Sequence, residues 1–348
     1  MKISVLGAGP AGSTAAYYLA SSGIEVELID RVSFPREKPC AGGLFNPLLY
    51  EKEFPFINEF DGKYVYRVQF SCGRYTTRYT SSIPLLKVFL RKEFDQLLLK
   101  KAISAGAEFF IGKVPEGDVL IDATGAKHSS AYSKAGICLD NDFETDRDID
   151  TVYIHYGFGG IKGYSWLYPK KGYANIGIGA YIPQKGLKEI YYRYIDFLEK
   201  EGIVVLDQRS FRSCFIPFSP LRHFYDKDRL LAGDAAGFVS PSTGEGIFFA
   251  MVSGKLAAQT LIEGRPFSWY EEQCREKFGR YLKTGKLGST KKLIMKVLEK
   301  VVFRGSVDPV FSKMIAENFF RLDEHNLGLQ FILSFMRRRH EREIHSSY

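Results

Sequence analysis

Gly7, Gly9 and Gly12 stand in the run G-A-G-P-A-G, directly after the short apolar stretch Ile3–Leu6 and ahead of Ser13–Ser22, which has helical composition. Glycines at that spacing let the chain turn tightly, let its backbone approach a pyrophosphate, and let the helix pack closely on the strand before it. The anion then rests on the positive end of the helix. Gly23 ends the helix, Ile24–Ile29 predicts a second strand, and Asp30 closes it. A carboxylate there can accept from a ribose hydroxyl. Alone, a G-x-G-x-x-G is a weak signal; with strand, loop, helix, strand and acid in order it specifies a dinucleotide site.

A second constellation lies far downstream. Arg229–Ala232 predicts a buried strand ending in Gly233-Asp234, with Gly237 following, and P-S-T-G-E-G (241–246) leads into an apolar helix over Ile247–Leu261. An Asp after a strand can accept hydrogen bonds from a polyol, and amides at a helix start can stabilise negative charge. A ribityl chain and the N1–C2=O edge of a reduced flavin are ligand parts that need both. A strand–loop–helix unit that merely closes the sheet is the plainer alternative.

These motifs, with F-P-R-E-K-P-C-A-G-G-L (Phe34–Leu44), the R-x-x-F-D run (Arg91, Phe94, Asp95) and Y-S-W-L-Y-P (Tyr164–Pro169), resemble FAD enzymes of the para-hydroxybenzoate hydroxylase type. Within that group the chain is similar to the geranylgeranyl reductase family, over roughly residues 1–50, 85–135 and 160–262. The resemblance implies that Gly7, Gly9 and Gly12 hold the FAD pyrophosphate, Asp30 the adenosine ribose and Asp234 the ribityl and phosphate region. It implies that Arg91, on a helix predicted over Lys87–Ser104, reaches FAD, and that the amides of Gly244-Glu245-Gly246 lie beside the flavin pyrimidine edge. Pro10, Ala11, Arg31, Ala41, Gly125, Gly233, Gly237 and Ile247 complete the implied cofactor surface.

The stretch Lys38–Leu44 would run along the flavin face, where Gly42 lets a flat ring and an alkene stack on the backbone. Cys40 in it could gate, orient or donate a proton, because an unperturbed thiol is protonated at neutral pH; a small, soft side chain that simply fits is the alternative. Strand alternation puts Tyr164, Trp166 and Tyr168 on one face, an aromatic wall suited to a long apolar chain or else one face of a core sheet. Cys40, Gly42, Tyr164, Trp166 and Tyr168 are therefore the expected catalytic set, with no metal.

Two departures stand beside the likeness. Only about ten residues (107–117) separate the Arg91 helix from Asp118–Gly125, where relatives carry extra strands, and D-A-T-G replaces the commoner A-D-G. No second glycine loop for NADPH is found; G-I-G at Gly177–Gly179 lies inside a predicted strand. Reducing equivalents are expected from a transiently docked NAD(P)H or from reduced ferredoxin.

Length and composition set the frame. The 348 residues suggest two or three domains, and 45% hydrophobic with 25% charged residues describes a globular chain, neither disordered nor built from membrane spans. The expected architecture is α/β (α+β overall): a discontinuous Rossmann-like FAD-binding domain (1–50, 85–135, 221–265), an inserted β-rich substrate domain (51–84, 136–220) and a helical C-terminal region (266–348). Five dispersed cysteines without a C-x-x-C pair argue against a disulfide scaffold or a zinc site. The N-terminus looks like a signal peptide, but its glycines sit at phosphate-loop spacing, so a cytoplasmic protein is expected. Aromatic residues make up 15%, consistent with an apolar ligand cavity.

The net charge of +8 concentrates towards the C-terminus. Lys291–Phe303 sets apolar residues against a lysine stripe, and Arg337–Arg339 and Arg342 follow, which suits packing on the body or peripheral contact with the cytoplasmic face of an anionic membrane. No nucleic-acid module is visible. The resemblance implies a reductase that saturates C=C bonds of geranylgeranyl chains, on a prenyl diphosphate or an archaeal-type lipid, by hydride from flavin N5 and a proton. A flavin monooxygenase or halogenase on the same scaffold, or a non-catalytic FAD-containing lipid carrier, are the alternatives.

Overall fold

A computed structural model describes residues 2–72, 75–126, 132, 134–241 and 243–282. The basic segment from Lys291, with Arg337–Arg339 and Arg342, lies outside the described residues, as does Ser242. In chain order the elements are β1 (Lys2–Leu6), α1 (Pro10–Ser21), β2 (Glu25–Asp30), β3 (Gly43–Phe45), α2 (Pro47–Glu53), β4 (Lys63–Val65), β5 (Arg67–Cys72), β6 (Tyr75–Thr80), β7 (Leu86–Val88), α3 (Arg91–Ser104), β8 (Glu108–Ile111) and β9 (Val119–Asp122). They continue with β10 (Ala135–Glu144), β11 (Thr151–Tyr156), β12 (Gly163–Lys170), β13 (Tyr173–Tyr181), α4 (Leu187–Lys200), β14 (Arg212–Pro217), β15 (Tyr225–Asp226), β16 (Arg229–Leu231), α5 (Ile247–Ile262) and α6 (Phe267–Leu282).

The phosphate loop belongs to a six-stranded sheet of order β15-β16-β9-β1-β2-β8. It is parallel except for β15, the doubly wound arrangement of a Rossmann-like domain. Ile3 and Val5 are fully buried, as expected of a central parallel strand covered on both faces. Helices α1 and α5 meet through small residues: a Cβ added at Gly254 would stand 2.1 Å from Ala11 O. Any side chain there would push the helix carrying the phosphate loop off its partner.

The second sheet has seven strands, ordered β14-β10-β13-β12-β11-β5-β6, antiparallel except for the β11–β5 pair. Helix α4 repeats apolar residues at helical spacing (Leu187, Ile190, Tyr191, Tyr194, Ile195, Leu198) and packs them on Leu167, Ile176 and Ile178 of one sheet face. The opposite face carries Trp166, Tyr168, Val152, Ile154 and Cys138 into the core shared with the first sheet. A short sheet, β3-β7-β4, ties residues 43–45 and 86–88 to 63–65, across the segment borders drawn from sequence.

Some expected elements change. The helix drawn from Lys87 begins at Arg91, because Leu86–Val88 pair with β3 and β4 and Leu90 is still extended at the helix cap. Pairing on both sides overrides the helical composition of the segment. The first helix begins at Pro10 rather than Ser13, since a proline fits the first helical position at no hydrogen-bond cost. The short stretch 107–117 contains an edge strand, β8, and the β-rich stretch 136–220 contains α4. Gly177–Gly179 lies within β13.

Candidate cofactor and substrate site

The phosphate loop is built by close backbone approach. Gly7 has φ +92°, and a Cβ there would lie 2.4 Å from Ala123 O; a Cβ at Gly12 would lie 1.8 Å from Gly7 O. Gly9 caps α1 without a side-chain hydrogen bond, Pro10 follows it, and Ser13 N–H makes a helical bond to Gly9 O at 2.9 Å. The amides of Ala11 and Gly12 precede that bond at the positive end of the helix, the arrangement that receives an anion. Asp30 braces the loop: Oδ2 accepts from Ala8 N–H at 2.8 Å and Oδ1 from Arg31 N–H at 2.7 Å, which leaves lone pairs for a ribose hydroxyl. The Arg31 side chain is exposed, and Gly125 lies beyond β9 with open space around it.

Arg36 is a component that the sequence reading missed. One guanidinium nitrogen stands 3.2 Å from where a Cβ on Gly9 would be and 3.5 Å from Asp95 Oδ2, and Arg36 Nε is buried with no hydrogen-bond partner. Arg91 is also buried, and it donates from Nε and a terminal nitrogen to the two oxygens of Asp95, each at 3.0 Å. This i,i+4 fork fixes the arginine at the first turn of α3.

The Lys38–Leu44 stretch is pinned to the seven-stranded sheet. Cys40 N–H donates to Asp140 Oδ2 at 2.9 Å, and Asn175 Nδ2 donates to Asp140 Oδ2 at 3.0 Å, to Asp142 Oδ1 at 2.9 Å and, at 3.4 Å, to Cys40 O. Asn175 Oδ1 accepts from Trp166 Nε1 at 2.7 Å. One amide therefore joins the loop to the aromatic strand. Lys170 Nζ donates to Asp142 Oδ1 at 2.5 Å, and Gly42, at φ +67°, leaves room where a Cβ would meet Phe89 O at 2.2 Å. Burial pushes the Cys40 thiol pKa up while the Arg91 guanidinium bonded to Sγ pulls it down, with a net rise that keeps the thiol protonated at neutral pH. Burial also raises the Asp140 carboxyl to about 6.

Tyr164, Trp166 and Tyr168 do share one face of β12. Directly opposite Trp166 is Gly177, where a Cβ would stand 2.2 Å from the indole, so the ring lies flat on the strand backbone. Tyr164 is 5.6 Å from Trp166 between ring centroids, Tyr156 extends the row at 5.9 Å, and Phe70 stacks on Tyr156 at 6.3 Å and 14°. Trp166 and Tyr168 are almost fully packed, Tyr168 against Gly43; Tyr164 is half-buried and donates through its hydroxyl to Thr243 O.

At the far edge, Asp234 lies half-buried in the turn Gly233–Ala236, with Gly233 N–H donating to Ser253 Oγ at 2.9 Å and Gly237 closing the turn. Asp234 Oδ1 stands 3.5 Å from where a Cβ on Gly246 would be. The amides of Gly244 and Glu245 are engaged within their own loop, with Ser240 O and Thr243 Oγ1. Glu245 is buried, accepts from Phe248 N–H at 2.9 Å and Tyr50 O–H at 2.7 Å, and burial raises its carboxyl to about 7. Ile247 opens α5 beneath it.

Arg36, Asp140, Asn175, Tyr50, Tyr156 and the side chain of Glu245 were not singled out from sequence. For Asp140 a signal existed: Cys138, Asp140 and Asp142 alternate along β10, and charged groups directed to the core face of a strand are anomalous.

This fold and site define a flavoprotein-type dinucleotide-binding oxidoreductase. Residues 5–35 match the family model described as an NAD(P)-binding Rossmann-like domain. The chain is 30% identical over 315 residues to a geranylgeranyl diphosphate reductase of Rhodobacter capsulatus, covering 75% of this chain and 76% of that one. It is 29% identical over 331 residues to digeranylgeranylglycerophospholipid reductase 2 of Methanothermobacter thermautotrophicus, covering 80% and 84%. Among solved structures, a geranylgeranyl bacteriochlorophyll reductase-like protein from Thermoplasma acidophilum superposes with a TM-score of 0.76 at 23% identity, over 92% of this chain and 96% of that one. The chain belongs to the geranylgeranyl reductase family.

The residues present fit FAD. The Ala11 and Gly12 amides and the orphaned Arg36 Nε suit a pyrophosphate, Asp30 presents acceptors beside the loop, and the turn carrying Asp234 approaches the start of α1, where a Cβ on Gly233 would lie 3.2 Å from Ala11 Cβ.

Proposed function

We propose that this protein is an FAD-dependent reductase that saturates C=C double bonds of isoprenoid chains of the geranylgeranyl type, in archaeal-type membrane lipids or their precursors. The observation that supports this reading most is the Asn175 amide, which holds the Cys40 loop and the Trp166 indole in one network. A polar aromatic acid would need charged partners on the wall; this wall offers aromatic faces.

Bound FAD would supply the hydride, after reduction by NAD(P)H or a ferredoxin-class donor. The chain's own part is positioning, water exclusion and protonation. Gly7, Gly9 and Gly12 with Arg36 hold the pyrophosphate, Asp30 the ribose and Asp234 the polyol. Isolated alkenes accept hydride poorly, so a proton must arrive with it or ahead of it, and positive character develops on carbon. The rings of Tyr164 and Tyr156 face that charge with their π systems, and the packed Trp166 and Tyr168 behind them keep water out. Cys40 Sγ carries the proton: it is protonated, lies in the loop beside the wall and is steadied by Arg91.

We assign residues 1–50, 85–135 and 221–265 to cofactor binding, 51–84 and 136–220 to substrate, and the basic residues after 266 to peripheral contact with an anionic membrane. No helix among the described residues is long and apolar enough to cross a membrane. The test is anaerobic. The purified protein, expected to be yellow, is reduced and mixed with geranylgeranyl diphosphate or with a digeranylgeranyl phospholipid. Flavin reoxidation with one H2 gained per double bond is expected. Unchanged flavin and unchanged lipid mass would overturn the assignment, and oxygen-dependent hydroxylation of the substrate would move it to the monooxygenases.

A further inference from the structure

Cys138 and Cys214 face each other directly across the antiparallel strands β10 and β14. Both thiols are free, and their Sγ atoms approach to 2.8 Å, inside the van der Waals contact of two sulfurs. Directly opposed residues of an antiparallel pair have Cα atoms about 4.5–5.5 Å apart, within the roughly 4.4–6.8 Å that a disulfide spans. No backbone movement is needed to bring the two together.

The pair is asymmetric in access. Cys138 is buried, flanked by Gly179 on its other side in the sheet, whereas Cys214 is half-buried on β14, the edge strand. The other three thiols have different surroundings: Cys40 lies in the pinned loop, Cys72 at the end of β5, and Cys274 is buried on α6.

We propose that Cys138 and Cys214 are a disulfide-forming pair that closes by exchange with a low-molecular-weight disulfide of the glutathione class. Cys214 Sγ, as thiolate, attacks one sulfur of the small disulfide and releases one small thiol, which takes up the proton Cys214 lost. Cys138 Sγ then loses its proton, attacks Cys214 Sγ in the mixed disulfide and releases the second small thiol. Two protein thiols are oxidised by two electrons, and one small disulfide is reduced to two thiols. Closure covalently ties β14 to β10, the strand whose Asp140 holds the Cys40 loop. The inference does not rest on the proposed reaction.

The experiment uses the full-length chain, reduced, desalted, incubated with oxidised glutathione, quenched in acid and alkylated. The expected result is two fewer alkylatable thiols of the five, a mass lower by two hydrogens, and a cross-linked peptide pair containing residues 138 and 214. Cys138→Ser is expected to stop at a stable glutathione adduct on Cys214. Five alkylatable thiols, an adduct that persists on Cys214 in the unsubstituted protein, or a cross-link between another pair such as Cys40 and Cys138 would each overturn the proposal. Should the variant fail to fold, the peptide map of the unsubstituted chain decides alone.

Discussion

The phosphate loop and the aromatic face of the seven-stranded sheet serve one site by different means. The loop works through backbone amides and close contacts, most of them among residues 7 to 30, neighbours in sequence, with the end of β9 at Ala123 closing on Gly7. The sheet face works through side chains gathered from afar: Cys40 bonds Asp140 at a separation of 100 residues and Asn175 at 135. Where the backbone binds, side chains must be missing, and glycine spacing records it. Where side chains bind, many polar residues would serve, and only pairing of the strands selects which of them meet.

That difference can be broken by substitution. The largest effect is expected at the joint between the two regions. Arg91→Leu strips the fork from Asp95 and leaves a buried carboxylate to Arg36 among the described residues, at a cost of about 3–5 kcal/mol; chemical denaturation should show the loss, with Arg91→Lys in between. If Arg91→Leu melts like the unsubstituted protein, the arginine is not the support of this corner.

Next comes Gly12→Ala, which forces a methyl into Gly7 O and should cost about 1–3 kcal/mol. It is expected to yield colourless protein while leaving the Trp166 emission maximum in a Trp269→Phe background unchanged. Retained flavin would show that the loop tolerates displacement.

Asn175→Leu tests the other half. It leaves Trp166 Nε1 and Asp140 short of partners, at about 1–3 kcal/mol. Flavin should remain bound, whereas Trp166 emission should shift and lipid reduction should fall at least tenfold. Loss of flavin with unchanged indole emission would contradict the separation of the two regions.

The smallest expected effect is a pH dependence at Glu245. Its carboxyl is raised from about 4.5 to about 7 by burial, so the folded chain binds the proton more tightly than the unfolded one. Stability from this group is therefore present below the unfolded value and is lost as pH rises through about 7. Glu245→Gln keeps the acceptor for Phe248 and Tyr50 and abolishes the titration. Its melting temperature relative to the unsubstituted protein should climb between pH 5 and pH 8; a flat difference would argue against a protonated Glu245.

Part of the candidate site follows from local geometry. The glycines of the loop, Asp30 at its strand end and the alternation of Tyr164, Trp166 and Tyr168 depend on spacing over a few residues, whereas the Gly-Asp turn left two readings open and took its expected role from the family resemblance. The wall was read too short: Tyr156 joins it opposite Tyr164 through the antiparallel β11–β12 pair, and Phe70 through the parallel β11–β5 pair, and neither pairing is visible in a single segment. Lys87 was placed on a helix since its neighbourhood is charged and helical in composition, but strands on both sides claim it. Glu245 was read only for its amide in a glycine-rich loop, although its side chain is the buried acid that engages the start of α5 and Tyr50.

The sequence by itself determined where backbone must come close to a phosphate and which strands alternate, because steric exclusion and side-chain period act over a few residues. Tertiary structure alone decided that Asn175 would join Cys40 to Trp166, that Arg36 would lie beside Gly9, and that Cys138 would meet Cys214. Those contacts follow from register between distant strands, which the summed packing of the two sheets selects and no short segment encodes.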